Sequence, residues 1–150
     1  MHIVFVEPEI PPNTGTTARL CAATNTTLHL VGPLGFSLED RYLKRAGLDY
    51  WPYVDVHTYA NWKDFLLRRP LGRLLAFSAR ATRSYTQVRY NQDDLLIFGS
   101  ETRGLPEHIR NALADTLYTI PMEGKHVRSL NLSNAAAIVL YEALRQLGKA

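Results

Sequence analysis

The chain has 150 residues, 46% of them hydrophobic, with a formal net charge of +3 and one cysteine. Such a length and composition suit one domain, residues 1–150, with a real core, and they exclude a disulfide scaffold and a disordered chain. The N-terminus enters a strand-like segment with no signal-peptide anatomy, and no apolar run approaches the roughly 18 residues of a membrane span, so a cytoplasmic protein is expected.

His2–Val6 reads as a buried strand and Thr14–Asn25 as a helix capped by Asn13 or Thr14. Leu28–Val31 is a second strand, ended by Gly32-Pro33. Ser37-Leu-Glu-Asp40 has the pattern of a capping box, opening a short helix that Gly47 closes. On that helix Arg41, Lys44 and Arg45 share one face, and Tyr42, Leu43 and Ala46 take the other. Tyr53–His57 is a possible third strand, and Asn61 caps a helix that stops before Pro70. Leu74–Phe77, Leu95–Phe98 and Leu117–Ile120 are further strands. Pro106 fits the first turn of a helix running to about Ala114. Ser133–Leu147 is the clearest helix, with Ala137, Leu140, Leu144 and Leu147 as its apolar stripe and Gly148 as its stop. The alternation implies an α/β domain with a mainly parallel sheet flanked by helices.

Three polar loops rich in Gly, Pro and Asn follow strand-like runs: Glu7–Gly15, Gly99–Pro106 and Ile120–Asn134. Loops at strand ends are where α/β domains hold ligands, so these three form the candidate site. Gly99 and Gly104 have the spacing of a phosphate loop, but Leu105-Pro106 stands where Lys-Ser/Thr is needed. No Gly-x-Gly-x-x-Gly, no Gly-x-Ser-x-Gly and no histidine pair at metal-ligand spacing occurs, so no metal is expected. What remains is a ligand held by close backbone approach at the glycines and by Ser129, Asn131, Ser133 and Asn134 at a helix start. Simple capping accounts for Asn131 or Ser133 but not for all four, and Glu101 with Arg103 could equally be a surface pair. Residues 65–92 hold six arginines and no acid, and with Arg41, Lys44 and Arg45 they suggest an anionic partner such as nucleic acid as readily as a solvated surface.

Glu7–Gly15 with Arg19-Leu-Cys-Ala22, Arg45–Tyr50, Gly99-Ser-Glu-Thr-Arg-Gly-Leu-Pro106, Arg128-Ser-Leu-Asn-Leu-Ser-Asn134, Tyr141-Glu-Ala and Arg145–Gly148 occur in this order. Over Ile3 to Gly148 the chain thereby resembles the TrmL (YibK-like) tRNA 2′-O-methyltransferases of the SPOUT superfamily. The resemblance implies a C-terminal deep trefoil knot, a rare exception to ordinary topology. It also implies a homodimer, S-adenosylmethionine as methyl donor, and as substrate the wobble ribose of leucine tRNAs carrying a cytidine or modified uridine there. By position, the donor would lie against Phe77, Gly99, Glu101, Gly104, Ile120, Met122, Ser129 and Leu130. Arg41, Lys44 and Arg45 would then contact the backbone of the anticodon stem-loop. Arg19 matches the family's motif arginine and is the leading catalytic candidate, with Asn13 beside it to orient it or to bind RNA. Asn131 and Tyr141 are secondary candidates, Tyr141 being equally suited to packing at a dimer interface. Ser100 stands where many relatives carry proline, which would loosen its loop. A methyltransferase for another RNA site, or a non-catalytic RNA-binding protein of the same fold, is the alternative reading.

Overall fold

The computed structural model describes residues 1–39, 41, 43, 45 and 50–150. Six strands are joined by helices: β1 (His2–Val6), β2 (Thr27–Val31), β3 (Val56–Tyr59), β4 (Leu74–Phe77), β5 (Leu95–Phe98) and β6 (Leu117–Tyr118). The helices whose ranges lie wholly within the described residues are α1 (Pro11–Thr24), α2 (Trp62–Arg68), α3 (Glu107–Ala112) and α4 (Leu132–Gln146). The sheet runs β3-β2-β1-β5-β4-β6, with every pairing parallel. A parallel sheet needs both faces covered, which is why Leu95–Phe98 is apolar throughout and wholly buried.

Strand alternation then sorts the side chains into two cores. Ile3, Phe5, Leu28, Leu30, Leu96 and Phe98 pack under α1 and α4, while Val4, Val6, Val31, Leu95 and Ile97 pack with Phe65 of α2 and Ile109 of α3. The long helix turns Leu132, Ala136, Val139, Leu140, Ala143 and Leu144 inward. Ala137 and Leu147 of the expected stripe are only half-buried, because the helix enters the core at Leu132 and so rotates the stripe by one position.

Several boundaries move for identifiable reasons. α1 starts at Pro11, three residues earlier than expected, since prolines at the first two positions forfeit only N–H groups that a helix start leaves unpaired. Its cap position is Ile10, with no side-chain cap of its own. The third strand is Val56–Tyr59 rather than Tyr53–His57: pairing of Leu28 to Val56 and Val31 to Tyr59 sets its register, and Trp51–Tyr53 forms a 3-10 turn. Pro106 is the cap rather than the first residue of α3, and β6 ends at Tyr118, after which Thr119 pairs with Ser84. Ser37 accepts from the Glu39 N–H in a local turn, and Arg41, Leu43 and Arg45 are helical, with Leu43 buried and both arginines exposed. Lys44, Tyr42, Ala46 and Gly47 lie outside the described residues.

Three histidines far apart in sequence meet across β1, β2 and β3. His2 Nδ1 lies 3.0 Å from His29 Nε2, His29 Nδ1 lies 2.8 Å from the Tyr59 hydroxyl, and the His57 ring stacks on His29. Burial pushes the His29 imidazole down to about 3, so it is neutral and donates on one side while accepting on the other. This is a satisfied core polar chain. Among the described residues no group of His, Cys, Asp and Glu could hold a metal.

Candidate functional site

The strand order reverses between β1 and β5, and the loops leaving the carboxyl ends of the strands gather beside that reversal. They enclose a cleft of about 500 Å³ over β4, β5 and β6. Its inner wall is apolar, with Phe77 and Phe98 side by side and stacked at 5.1 Å, and with Ile120, Leu130 and Leu132. Ser78, Thr119 and Ser129 supply hydroxyls at its edge. Every expected donor-contacting residue, Phe77, Gly99, Glu101, Gly104, Ile120, Met122, Ser129 and Leu130, lines this one cleft.

The loop after β5 is a closed turn. Ser100 and Gly104 exchange both backbone hydrogen bonds at 3.2 and 3.0 Å, and Ser100 Oγ accepts from the Arg103 N–H. Serine at position 100 therefore ties the loop rather than loosening it. The two glycines differ in kind. A Cβ at Gly99 would overlap the backbone of Gly104 and Leu105, whereas at Gly104 it would meet open space, with φ +68° as the only obstacle. Gly99→Ala should therefore abolish S-adenosylmethionine binding measured by calorimetry, because the turn cannot close. Gly104→Ala should bear only the left-handed backbone cost of about 1 kcal/mol and bind within a few-fold of the parent. Equal affinities for the two variants would show that the closed turn is not the binding element.

A smaller recess of about 210 Å³ adjoins the cleft and shares Glu101, Ser129, Leu130 and Leu132 with it. Ile10, Asn13 and Asn131 complete its wall. One carboxylate orders this region. Glu101 accepts from the backbone N–H of Glu9 at 2.8 Å and of Ile10 at 2.7 Å, and so caps α1 from 92 residues away. It also accepts from Asn13 Nδ2 at 3.1 Å. A carboxylate only accepts, so the Asn13 amide has one possible orientation, with Oδ1 facing away. That oxygen accepts from Asn131 Nδ2 at 3.0 Å, and Asn131 Oδ1 accepts from Ser133 Oγ and from the Asn134 N–H at the start of α4. Each amide keeps one N–H beyond these bonds, and both residues line the recess. Capping and site-building are thus one structure, not alternatives. In place of the Glu101–Arg103 surface pair left open by the sequence, the loop joins Thr102 to Glu9: the Thr102 hydroxyl donates to the Glu9 carboxylate at 2.7 Å and holds it below the usual carboxylate range.

The remaining candidates lie elsewhere. Arg19 lines neither cavity; it is exposed, with its guanidinium 4.8 Å over the Tyr50 ring. Six residues along a helix are about 9 Å and one and two-thirds turns, and Asn13 bonds to Glu101 and Asn131, so buried Asn13 does not orient Arg19. Tyr141 is 47% exposed on α4 and lines neither cavity. Arg41 and Arg45 are exposed outside both. Four arginines also line the cleft: Arg80, Arg103 and Arg128, and Arg110, which is spent on the Leu105 carbonyl; of these, sequence reasoning weighed only Arg103 at the site.

The SpoU rRNA Methylase family matches residues 1–141. A tRNA (cytidine(34)-2'-O)-methyltransferase of Saccharophagus degradans is 49% identical, over 98% of this chain and 96% of the relative. A structure solved to give insight into 2-OH methylation of C/U34 on tRNA superposes with a TM-score of 0.91 at 47% identity, covering 99% of this chain and 97% of that one. An AdoMet-bound rRNA methyltransferase of Sinorhizobium meliloti superposes with a TM-score of 0.84 at 26% identity, over 97% of this chain and 56% of that one.

Proposed function

The chain belongs to the SpoU methylase family, and on that premise we propose that it methylates the 2′-hydroxyl of the wobble nucleotide of tRNA, using S-adenosylmethionine. The observation that carries this reading is the pairing of an apolar cleft with a polar recess across one shared wall. The cleft suits the donor: an aromatic and aliphatic wall for a base, a glycine turn that brings backbone close, and hydroxyls at the edge. Phe77, the Gly99–Gly104 turn, Ile120, Met122, Ser129 and Leu130 would hold it. S-adenosylmethionine supplies an electrophilic methyl group on a sulfonium.

The protein supplies positioning and charge. The recess seats the target ribose, with the spare amide N–H groups of Asn13 and Asn131 directed at its oxygens. Neither cavity is lined by an imidazole or a thiol among the described residues, and the Glu101 carboxylate that lines both is taken by three N–H donors, so the hydroxyl proton passes to water. Arg19 acts through its charge and its planar fork, on RNA that runs past Tyr50. A homodimer fits the exposed apolar side chains Ile138 and Tyr141, one turn apart on α4, and Ile10 and Leu130 at the recess. Tyr141 then serves in packing. A trefoil knot fits the return of the chain from β6 at one edge to α4 beneath α1, where Gln146 is bonded to Val88 and Tyr90 in the β4–β5 connection. No helix of the described residues is long and apolar enough to cross a membrane, which suits a cytoplasmic tRNA enzyme.

The test is methyl transfer to unmodified and modified tRNA, with nucleoside mass spectrometry locating the product; leucine isoacceptors come first on the strength of the sequence resemblance. A 2′-O-methyl group at position 34 is expected. Transfer to another RNA position, or donor binding without transfer to any RNA, would replace this reading by one of its two alternatives.

A further inference from the structure

The arginine-rich stretch 65–92 divides sharply once folded. Arg68 is spent on Asp64 and the Thr58 carbonyl, Arg69 on the Pro70 and Gly72 carbonyls, and Arg73 on the buried Asp94. Arg83 donates to the Ala114 and Leu117 carbonyls and lies over the Tyr118 ring. These four fasten loops and strands. Arg80 has no such duty: only its backbone N–H is engaged, by Ser78 Oγ. It lines the cleft together with Arg103 and Arg128, which come from the β5 loop and the approach to α4. All three are exposed. Arg103 is near enough to Glu9 to help depress its carboxyl but forms no ion pair with it, since Thr102 holds that carboxylate.

Three connections thus each send one uncommitted guanidinium to the mouth of one cleft, where the one carboxylate of the lining, Glu101, is already taken by the Glu9 and Ile10 N–H groups and by Asn13. A donor with one carboxylate needs one guanidinium at most. A strand of nucleic acid presents a phosphate at every step, and guanidinium forks match phosphate oxygens. Resting on the methyltransferase reading above, we infer that Arg80, Arg103 and Arg128 form a phosphate clamp that holds the RNA backbone flanking the target nucleotide across the mouth of the cleft. It is separate from the Arg41 and Arg45 helix, and it reads backbone, not base identity.

The test is the salt dependence of tRNA binding for Arg80→Gln, Arg103→Gln, Arg128→Gln and the triple variant, with Arg89→Gln as a charge-matched control. Arg89 is exposed and lines neither cavity. Each phosphate contact contributes about 0.7–0.9 to the slope of log K against log salt, so the triple variant should lose roughly 2 to 3 from it. Affinity for S-adenosylmethionine, measured without RNA, should stay within about threefold, a threshold of roughly 0.7 kcal/mol, and this also verifies folding of the cleft. A slope unchanged in the triple variant, or lowered equally by Arg89→Gln, overturns the clamp. A triple variant that keeps the slope and loses the donor instead assigns these arginines to the donor's carboxylate and overturns it as well. The parent protein separates this failure from that of the function: a parent that methylates position 34 while the variants keep its slope refutes the clamp alone, and a parent that binds no tRNA refutes both.

Discussion

Arg19→Lys should fold, bind S-adenosylmethionine and bind tRNA near-normally, yet lose on the order of 10²–10³-fold in single-turnover methylation, the usual effect of removing one transition-state donor. The side chain is exposed, and its guanidinium lies flat over Tyr50 at 4.8 Å. Lysine can keep the charge over that ring but not the planar fork, so the comparison isolates geometry from charge. Arg19→Ala should be slower still. Rates taken at saturating tRNA separate chemistry from binding. Because Arg19 lines neither cavity of its own chain, a large effect also requires that RNA, or a second copy, connects it to the recess. Near-parental rates for both variants would exclude Arg19 and move attention to the Asn13–Asn131 pair.

Glu101→Gln should lower both stability and turnover. The carboxylate accepts from two backbone N–H groups and from Asn13, and a glutamine offers one oxygen while turning an NH₂ group toward donors. Loss of two charge-assisted bonds should cost about 2–4 kcal/mol. For a chain of this size that lowers Tm by roughly 6–13 °C. Turnover should fall further than stability explains, at a temperature where the variant is fully folded, since the Asn13 and Asn131 amides lose the acceptor that sets their orientation. A variant melting within about 2 °C of the parent would mean that water or another group caps α1 equally well. Glu101→Asp, which keeps the charge but shortens the reach, should fall between the two.

Much of the site was legible as location and little of it as connection. The glycine-rich loop and the Ser129–Asn134 segment marked the cleft because their composition cannot form a core and follows strand-like runs. Glu101 stood in the right loop, but its task of capping a helix 92 residues away has no local sign, and neither has the Asn13–Asn131 bond across 118 residues. The basic stretch pointed to an anionic partner but not to the residues that face one, for a related reason. Composition counts charges, whereas function depends on which ones folding leaves unspent, and Arg68, Arg69, Arg73 and Arg83 are spent on partners that only the fold brings near.

The chain by itself determined the kind and rough extent of nearly every element. Leu74–Phe77 and Leu95–Phe98 were fixed to the residue, because an apolar run bounded by turn residues is local information. Asn61 capped its helix as its residue type dictates. Tertiary structure decided the β3-β2-β1-β5-β4-β6 order, the true start of α1, the register that moved β3 to Val56–Tyr59, and the meeting of His2, His29 and His57. These depend on contacts between segments whose separation along the chain carries no periodicity, and their free energy appears only when both partners are already in place.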